Sequence, residues 1–370
     1  MAWVPRIPEI KRSLGVNNGQ FGLILLGSTA GAIIGAQVCG RAVHAFGSKR
    51  IVNFAGVLMP LGLILMALST HNVPAMFVSL FVMGCGYVSI DVAVNTQAVA
   101  IEKHLKHRYM STFHGLWSTG AFLATIFGGV ISHYISPESN LIVVGFTSLV
   151  FFMTAASYLL NPSEDLHKGD EDAKSKIPLF EKRYLVLWLI GFGLIGALLP
   201  EGATSDWSAI LLKENMGISK GLNASAFACF ALAMIFSRMT GDKVLQALGP
   251  VRTVKLGGYI GGIGMGAGIA IAVPLSHSHP LAALLIIDFG FILAGLGIGP
   301  MVPALMLAAA ALPGIAPSVA LARIGIIGLA AYFIGPTVTG GLAQLTNLPI
   351  AMAFPVVSLL FAGWISRVMK

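Results

Sequence analysis

Long apolar segments recur along the chain, separated by short polar stretches. Each is close to the roughly 20 residues that a helix needs to cross the hydrocarbon core of a bilayer. Helices that are apolar on all faces belong in a membrane or a very large core, so the pattern predicts an all-α membrane protein. We predict eleven membrane helices, at residues 20–42, 50–70, 75–101, 109–134, 139–160, 184–212, 222–242, 252–274, 280–311, 317–345 and 348–367.

The longest polar interruption covers residues 161–183 and reads NPSEDLHKGDEDAKSKIPLFEKR. Five predicted helices precede this segment and six follow it. A charged segment of this length is typical of a solvated connection between two membrane-embedded parts. We therefore expect a first helical bundle at 1–160, a linker at 161–183 and a second bundle at 184–370.

The composition excludes a water-soluble fold. Of the 370 residues, 56% are hydrophobic and 10% are charged, whereas soluble domains carry about 25% charged residues. The net charge of +8 is spread over short loops and forms no single patch, so we expect no nucleic-acid partner. The three cysteines lie in apolar segments without metal-ligand spacing, and we expect no metal and no cofactor.

Basic residues predict which side of the membrane each loop faces. Sixteen of the 23 lysines and arginines fall on the side that carries the linker and the C-terminus. Five fall on the other side, namely Arg6, Lys11, Arg12, Lys213 and Lys220. Positive residues accumulate on the cytoplasmic side of membrane proteins, so we expect a cytoplasmic linker and C-terminus in a cell inner membrane.

The two parts of the chain resemble each other in the spacing of a few residues, at offsets of 202 to 212 positions. The matched sets are Gly84-x-Gly86 with Gly295-x-Gly297, Gly128-Gly129 with Gly340-Gly341, and Trp3 and Gly15 with Trp207 and Gly217. Such weak internal symmetry is typical of transporters built from two repeats related by an axis along the membrane normal.

The same offsets predict that one helix is absent from this chain. Trp207 lies at the outer end of the predicted helix that begins near residue 184, so the matching helix should end at Trp3. Its body would then precede Met1. We expect twelve helices in the complete arrangement, with the first lost through a late start codon or a fragment; a genuine eleven-helix protein is the less favoured alternative.

A short loop motif carries a family resemblance. Residues 40–50 read GRAVHAFGSKR, which resembles the G-x-x-x-D-x-x-G-x-R-K signature of the major facilitator superfamily, with His44 in place of the usual Asp. Residues 242–252 form a more degenerate copy. The resemblance covers essentially the whole chain. It implies two pseudo-symmetric bundles, a monomer that moves a small solute by alternating access, and gating roles for His44, Gly47 and Arg50.

Further residues narrow the resemblance within that superfamily. Asp91-x-x-x-Asn95 resembles the acid-x-x-x-Asn of the fucose permease branch of sugar–proton symporters, in which the acid is tied to proton coupling. His114-Gly115, Glu201-Gly202 and Asp206-Trp207 look like a related group of uncharacterised bacterial inner-membrane transporters. Drug–proton antiporters usually have Gly-Pro-x-x-Gly-Gly, and the absence of that proline before Gly128-Gly129 counts against efflux.

Asp91 is the leading candidate for chemistry. It lies near the middle of the predicted helix 75–101. A carboxylate at that depth is unfavourable when charged and unpaired, so it should face other helices or water, and it suits reversible protonation. Asn95 lies one turn further on the same face. The alternative for both residues is a structural hydrogen bond to a neighbouring helix.

The other candidates are polar or aromatic residues inside predicted helices, each of which could instead serve packing. We expect Glu201, beside Pro200, to take part in proton coupling. Substrate binding is predicted for Asn95, His114, Trp117, Asp288 and Tyr332. Gating is predicted for Asp206, Arg238 and Arg323. The helical rise places Glu201 about 25 Å and Arg238 about 8 Å from the same face, so we predict that these two do not pair.

The sequence therefore predicts proton-coupled uptake of a sugar or sugar-like solute. An exporter of amphipathic compounds in the same fold, or a non-transporting receptor or inactive paralogue, are the alternatives. The chain has no G-x-x-x-x-G-K-[ST] motif for ATP and no nucleophile elbow, so we expect no enzymatic activity. The expected partners are the solute, protons and the lipid bilayer.

Overall fold

The computed structural model describes residues 1–105, 110–161, 185–313, 315 and 317–369. In these ranges the regular secondary structure is helical throughout. The helices are α1 (Ile7–Leu14), α2 (Asn18–Phe46), α3 (Ser48–Leu68), α4 (Val73–Leu105), α5 (Met110–Ile131), α6 (Pro137–Ser157), α7 (Leu185–Ile210), α8 (Ser225–Leu275), α9 (Pro280–Ile298), α10 (Met301–Ala310), α11 (Pro317–Leu345), α12 (Leu348–Ala351) and α13 (Ala353–Ile365).

The predicted number of membrane crossings is confirmed in the described part of the chain. Nine segments there are long and apolar enough to span a bilayer, and Gly115–Ile131 is a shorter apolar helix. One of the nine, Leu222–Leu275, holds two crossings because α8 is broken at Gly249. Counting its arms at 225–248 and 250–275 separately gives eleven. The bundle boundaries stay a prediction, since residues 162–184 lie outside the described ranges.

Two glycines make the tight turns that join consecutive helices at one end of the molecule. Gly47, between α2 and α3, has φ 82° and ψ 152°. Gly249, between the two arms of α8, has φ 71° and ψ 165°. A positive φ with extended ψ is a conformation that residues with a Cβ adopt only under strain. Each turn needs a single residue, so the helices run several residues further than their apolar pattern predicts.

The repeat is also visible in how helices pack. Gly84 of α4 lies against the backbone of α2 at Ser28, and a Cβ there would overlap the carbonyl oxygen. Its counterpart Gly295 of α9 lies in the same way against the first arm of α8 at Phe230. The second glycine of each G-x-G packs on another helix of its own half. Gly86 contacts α3 at Met59, and Gly297 contacts the second arm of α8 at Gly257. Small residues at these points let the backbones approach closely, as in other membrane helix pairs.

Two features depart from the predicted helices. The helix predicted at 280–311 is interrupted at Gly299 and Pro300, because proline has no N–H to continue the backbone ladder. The amphipathic helix α1 was not predicted, since its short polar sequence has no apolar stretch of membrane length. Gly15 ends α1 with φ 66°, and Gly217, its counterpart by offset, has φ 67°.

The two ends of the molecule differ in how the halves meet. We call the end that contains Gly47 and Gly249 the linker end, and the opposite end, with Gly15 and Gly217, the sealed end. At the sealed end Phe21 of α2 packs edge-on against Trp207 of α7, with ring centroids 6.0 Å apart. Close by, Gly340 of α11 touches the backbone of α2. At the linker end, Lys49 donates to the carbonyl oxygen of Leu159 at 2.8 Å, within the first half.

We expect Gly84→Ala to lower the free energy of unfolding by about 1–3 kcal/mol, because the added methyl group overpacks the contact between α4 and α2. The matched control is Gly120→Ala in α5, where a Cβ meets nothing within 4 Å. Alanine there should be neutral or stabilising by up to about 1 kcal/mol, from helix propensity alone. Thermal unfolding of the purified protein measures both, and equal effects would contradict the packing assignment.

Candidate functional site

Five polar side chains from four helices gather at mid-depth between the two halves. They are Tyr87 and Asp91 of α4, Glu201 of α7, Arg238 of the first arm of α8, and Tyr332 of α11, and we call them the central group. Tyr87 interacts electrostatically with each of the other four. Tyr332 interacts with Asp91, Glu201 and Arg238. Side chains of the first half and the second half therefore share one space.

Glu201 and Arg238 form an ion pair inside this group. A guanidinium nitrogen of Arg238 lies 3.3 Å from Glu201 Oε1 and 3.5 Å from Oε2. The side chain of Arg238 keeps 31% of its surface accessible, and that of Glu201 keeps 27%. The pair is thus loose and reachable by solvent, and a pair of this kind can open without leaving a charge buried in a dry interior.

The prediction that Glu201 and Arg238 do not pair is wrong. It assumed that the helix of Arg238 ends near residue 242, whereas the first arm of α8 continues to the turn at Gly249. Arg238 is thereby about 15 Å from the linker end of its helix, and Glu201 about 24 Å from the start of α7. The long arginine side chain spans the remaining difference.

Asp91 and Asn95 share a face of α4, as their spacing predicts. The amide nitrogen of Asn95 donates to Asp91 Oδ1 at 3.2 Å. Asp91 is exposed, and its charge acts electrostatically on the phenols of Tyr87 and of Tyr332, which belongs to the second half. This is the environment expected of an intramembrane acid that must be reached from water.

Helix α5 brings the first half into contact with the ion pair. Arg238 donates to Ser118 Oγ at 3.4 Å, so the guanidinium bridges α5 and α7. The neighbouring Trp117 is 42% exposed. His114 lies on the same helix, but its side chain is outside the described part of the structure.

The remaining predicted residues lie elsewhere. Asp288 accepts a hydrogen bond from Ser225 Oγ at 2.8 Å, at the first residue of α8 near the sealed end. Asp206 is partly buried beside the fully buried Trp207. At the linker end, His44 and Arg50 are exposed on either side of the Gly47 turn. These placements leave the binding role of Asp288 and the gating roles of Asp206, His44, Gly47, Arg50 and Arg323 as predictions.

Sequence reasoning missed Tyr87, Ser118 and Thr29. Tyr87 precedes Asp91 by one helical turn, so its position on the same face could have been found from spacing. Ser118 has no such signal, because its role depends on an arginine far along the chain. Thr29 Oγ1 donates to the carbonyl oxygen of Tyr332 at 2.9 Å and ties α2 to α11 beside the central group.

Comparison with known proteins shows the family to which the chain belongs. The sequence profile of the Major Facilitator Superfamily matches residues 2–318. The chain belongs to the major facilitator superfamily. An uncharacterised MFS-type transporter of Yersinia pestis is 33% identical over 354 residues, which cover 95% of this chain and 86% of the relative. The membrane protein MosC of Rhizobium meliloti is 27% identical over 354 residues, covering 95% and 82%.

Solved structures show the same fold. The nucleoside transporter NupG superposes with a TM-score of 0.79 at 12% identity, covering 100% of this chain and 95% of that one. The fucose:proton symporter FucP of E. coli superposes with a TM-score of 0.60 at 14% identity, covering 100% and 96%. The protein is a multi-pass membrane transporter of this superfamily, and the resemblance read from its motifs is confirmed.

The ion pair makes a testable energetic prediction. Arg238→Met leaves the Glu201 carboxylate without its cation, so this variant should be less stable than the double variant Arg238→Met/Glu201→Gln. A double-mutant cycle on thermal unfolding should give a coupling energy between about 0.5 and 3 kcal/mol, in the lower part because both groups are partly exposed. The exposed Arg252→Met serves as the control for loss of a cation. Strict additivity would contradict the pairing.

Proposed function

We propose that this protein is a secondary active transporter that carries a small polar solute through the space around the central group by alternating access. One observation supports the proposal above the others. Asp91 and Tyr87 of the first half share one polar space with Glu201, Arg238 and Tyr332 of the second half. Charged groups inside a membrane protein mark solute or ion pathways, and a site shared by two halves is disturbed whenever they move apart.

The state of the structure supports access from the linker end. Among the described residues, the two halves are in contact at the sealed end, through Phe21 and Trp207, and at mid-depth, through the bond between Thr29 and Tyr332. The central group nevertheless keeps accessible surface, with Tyr87 at 39% and Tyr332 at 45%. With the linker end assigned to the cytoplasm by the positive-inside rule, this is an inward-facing state in the cell inner membrane.

The two acids are assigned different parts in coupling. Arg238 lies 3.3 Å from Glu201 and compensates the charge of its carboxylate inside the membrane. Asp91, which accepts from the neutral amide of Asn95, is the proposed proton carrier. Its protonation removes the penalty of enclosing a charge when the halves close around the loaded site. Glu201 is proposed to enter the coupling when a solute displaces it from Arg238.

The proposed solute is hydroxylated and sugar-like. The central group and its neighbours combine carboxylate acceptors, a guanidinium, an amide, the Ser118 hydroxyl and two phenols, a set that can donate to and accept from several hydroxyl groups at once. The names of two structural neighbours, a nucleoside transporter and a fucose:proton symporter, agree with that class. We propose proton symport and a monomeric working unit.

The solute can be found by a thermal-shift screen of the purified protein against sugars, nucleosides, organic acids and amines, since a bound solute raises the apparent stability. In proteoliposomes, Asp91→Asn should then lower proton-driven accumulation of that solute by about ten-fold or more, a typical size for coupling between two ligands. Counterflow, which needs binding and the conformational switch but no net proton movement, should be retained.

The control is Asn95→Asp, which keeps a hydrogen-bonding side chain on the same face but adds a charge. It should impair both accumulation and counterflow, because the site then holds an additional carboxylate to desolvate. Retention of full proton-driven accumulation by Asp91→Asn would refute the coupling role. Failure of every solute class to bind would refute the transport proposal itself.

A further inference from the structure

A threonine of the first half bonds a backbone carbonyl of the second half beside the central group. Thr29 Oγ1 of α2 donates to the carbonyl oxygen of Tyr332 in α11 at 2.9 Å. Thr29 itself is buried, with 7% of its surface accessible. Two turns away on α2, Gly22 lies against the backbone of Pro336 and Gly340. The bond is therefore part of the close contact between α2 and α11.

Pro336 explains why this carbonyl takes its donor from another helix. In an α-helix the carbonyl of residue 332 accepts from the backbone N–H of residue 336. Proline has no backbone N–H, and its ring pushes against the carbonyl four residues earlier. Pro336 lies inside α11, so the Tyr332 carbonyl has lost its usual donor within that helix. In membrane helices such carbonyls are satisfied by neighbouring helices, by Ser or Thr side chains, or by water.

The choice of acceptor sets Thr29 apart from most threonines of this protein. Nine threonines in the described residues donate to the carbonyl four residues earlier in the chain. This local bond is a common one for a threonine inside a helix. By the same spacing, the carbonyl of Leu25 is a local acceptor for Thr29. The Thr29 hydroxyl can therefore return to its own helix, whereas the Tyr332 carbonyl has no backbone donor one turn ahead.

We infer that the Tyr332 carbonyl is a solute-binding group, which accepts from Thr29 in this state and from a hydroxyl group of the solute when α2 and α11 separate. This role depends on the proposed transport by alternating access. Tyr332 belongs to the central group, so its carbonyl borders the space through which the solute is proposed to pass. A carbonyl without a donor inside the membrane is unfavourable, and a solute hydroxyl removes that penalty.

The exchange of donors gives the solute a different affinity in the two states. With the sealed end closed, as here, Thr29 occupies the carbonyl and the solute has one acceptor fewer. With α2 and α11 apart, Thr29 bonds its own helix and the solute gains that acceptor. A ligand shifts an equilibrium only through such a difference in affinity. The return of Thr29 to Tyr332 then favours release of the solute toward the linker end.

A double-mutant cycle on thermal unfolding tests the bond without any solute. Thr29→Val removes the donor and should lower the melting temperature by about 2–4 °C, because the carbonyl is left without it. Pro336→Ala restores an N–H that can bond the Tyr332 carbonyl. In the Pro336→Ala background, Thr29→Val should therefore change the melting temperature by less than about 1 °C. Thr29→Ser keeps the hydroxyl and should stay near the wild type.

Thr337→Val is the matched control for the cycle. Thr337 follows Pro336 in α11, and its hydroxyl donates to the carbonyl oxygen of Phe333 at 2.9 Å within the same helix. That carbonyl keeps its backbone donor, the N–H of residue 337, so Thr337→Val should have the same effect with and without Pro336. An effect of Thr29→Val that is unchanged by Pro336→Ala would overturn the inference.

Binding of defined solutes tests the second role of the carbonyl. The probes are D-glucose, D-galactose, L-fucose, D-ribose and uridine, measured by calorimetry on the purified full chain. For a probe that binds, Pro336→Ala should raise the dissociation constant about two-fold to ten-fold, because the carbonyl then has an internal donor. Thr29→Val removes the competing donor and should lower the dissociation constant. It should have no effect in the Pro336→Ala background. Structural damage alone would weaken binding in both single variants.

Two comparisons assign the effect to this hydrogen bond. The monodeoxy analogue that lacks the bonded hydroxyl should bind the wild type more weakly by the same factor, and Pro336→Ala should not weaken it further. Pro60→Ala removes a proline from the interior of α3, in the first half, and should leave the dissociation constants unchanged.

The outcomes distinguish this inference from the transport proposal. Equal dissociation constants in the wild type and Pro336→Ala, or weaker binding by Thr29→Val, would overturn the inference. The transport proposal would then stand, because the probe still binds. Failure of every solute class to bind the wild type would instead contradict the transport proposal, and the solute-binding role of Tyr332 with it.

Discussion

A charge inside a bilayer has to be compensated by a partner or by water, and this constraint organises the centre of the protein. Glu201 and Arg238 satisfy it together, at a distance of 3.3 Å and with about a third of each side chain accessible. The pair lies where the two halves face each other, because Arg238 also reaches Ser118 of α5. Because each charge has a partner, the folded protein can hold both side chains inside the membrane. Because the pair is accessible, a solute can replace one partner.

The packing around that centre makes each half a firm unit. Glycines at Gly84 and Gly86 in α4, and at Gly295 and Gly297 in α9, bring three helices into backbone contact within their own half. Contacts of this kind tolerate little rearrangement, since an added methyl group would overlap the neighbouring backbone. Between the halves, Gly22 of α2 also lies in close contact with the backbone of α11 at Pro336, and ion pairs, hydrogen bonds and an aromatic contact join the halves at the sealed end. The two halves are therefore held in close contact at the sealed end as well.

The repeat is symmetric in its packing and asymmetric in its charges. The turn glycines Gly47 and Gly249 have similar dihedral angles, and the G-x-G pairs contact equivalent helices. By the same offset, Asp91 corresponds to Val302, and Asp288 corresponds to Phe77. Packing constrains both halves alike, because equivalent helices must be buried in each half. Proton coupling needs no such symmetry, because a single acid is sufficient for it.

The sequence by itself determined the number of membrane crossings, the repeat, the family and the shared face of Asp91 and Asn95. The crossings, the repeat and the shared face depend on local periodicity and spacing, and the family on a resemblance in a short loop motif, all of which a linear chain displays directly. Only the tertiary structure decided that Glu201 pairs with Arg238, that Tyr87 and Ser118 join the same site, and that the amphipathic helix α1 contacts the second half at the sealed end. Those outcomes depend on where helices end and how they tilt, and a one-residue turn at Gly249 was enough to move Arg238 into reach of Glu201.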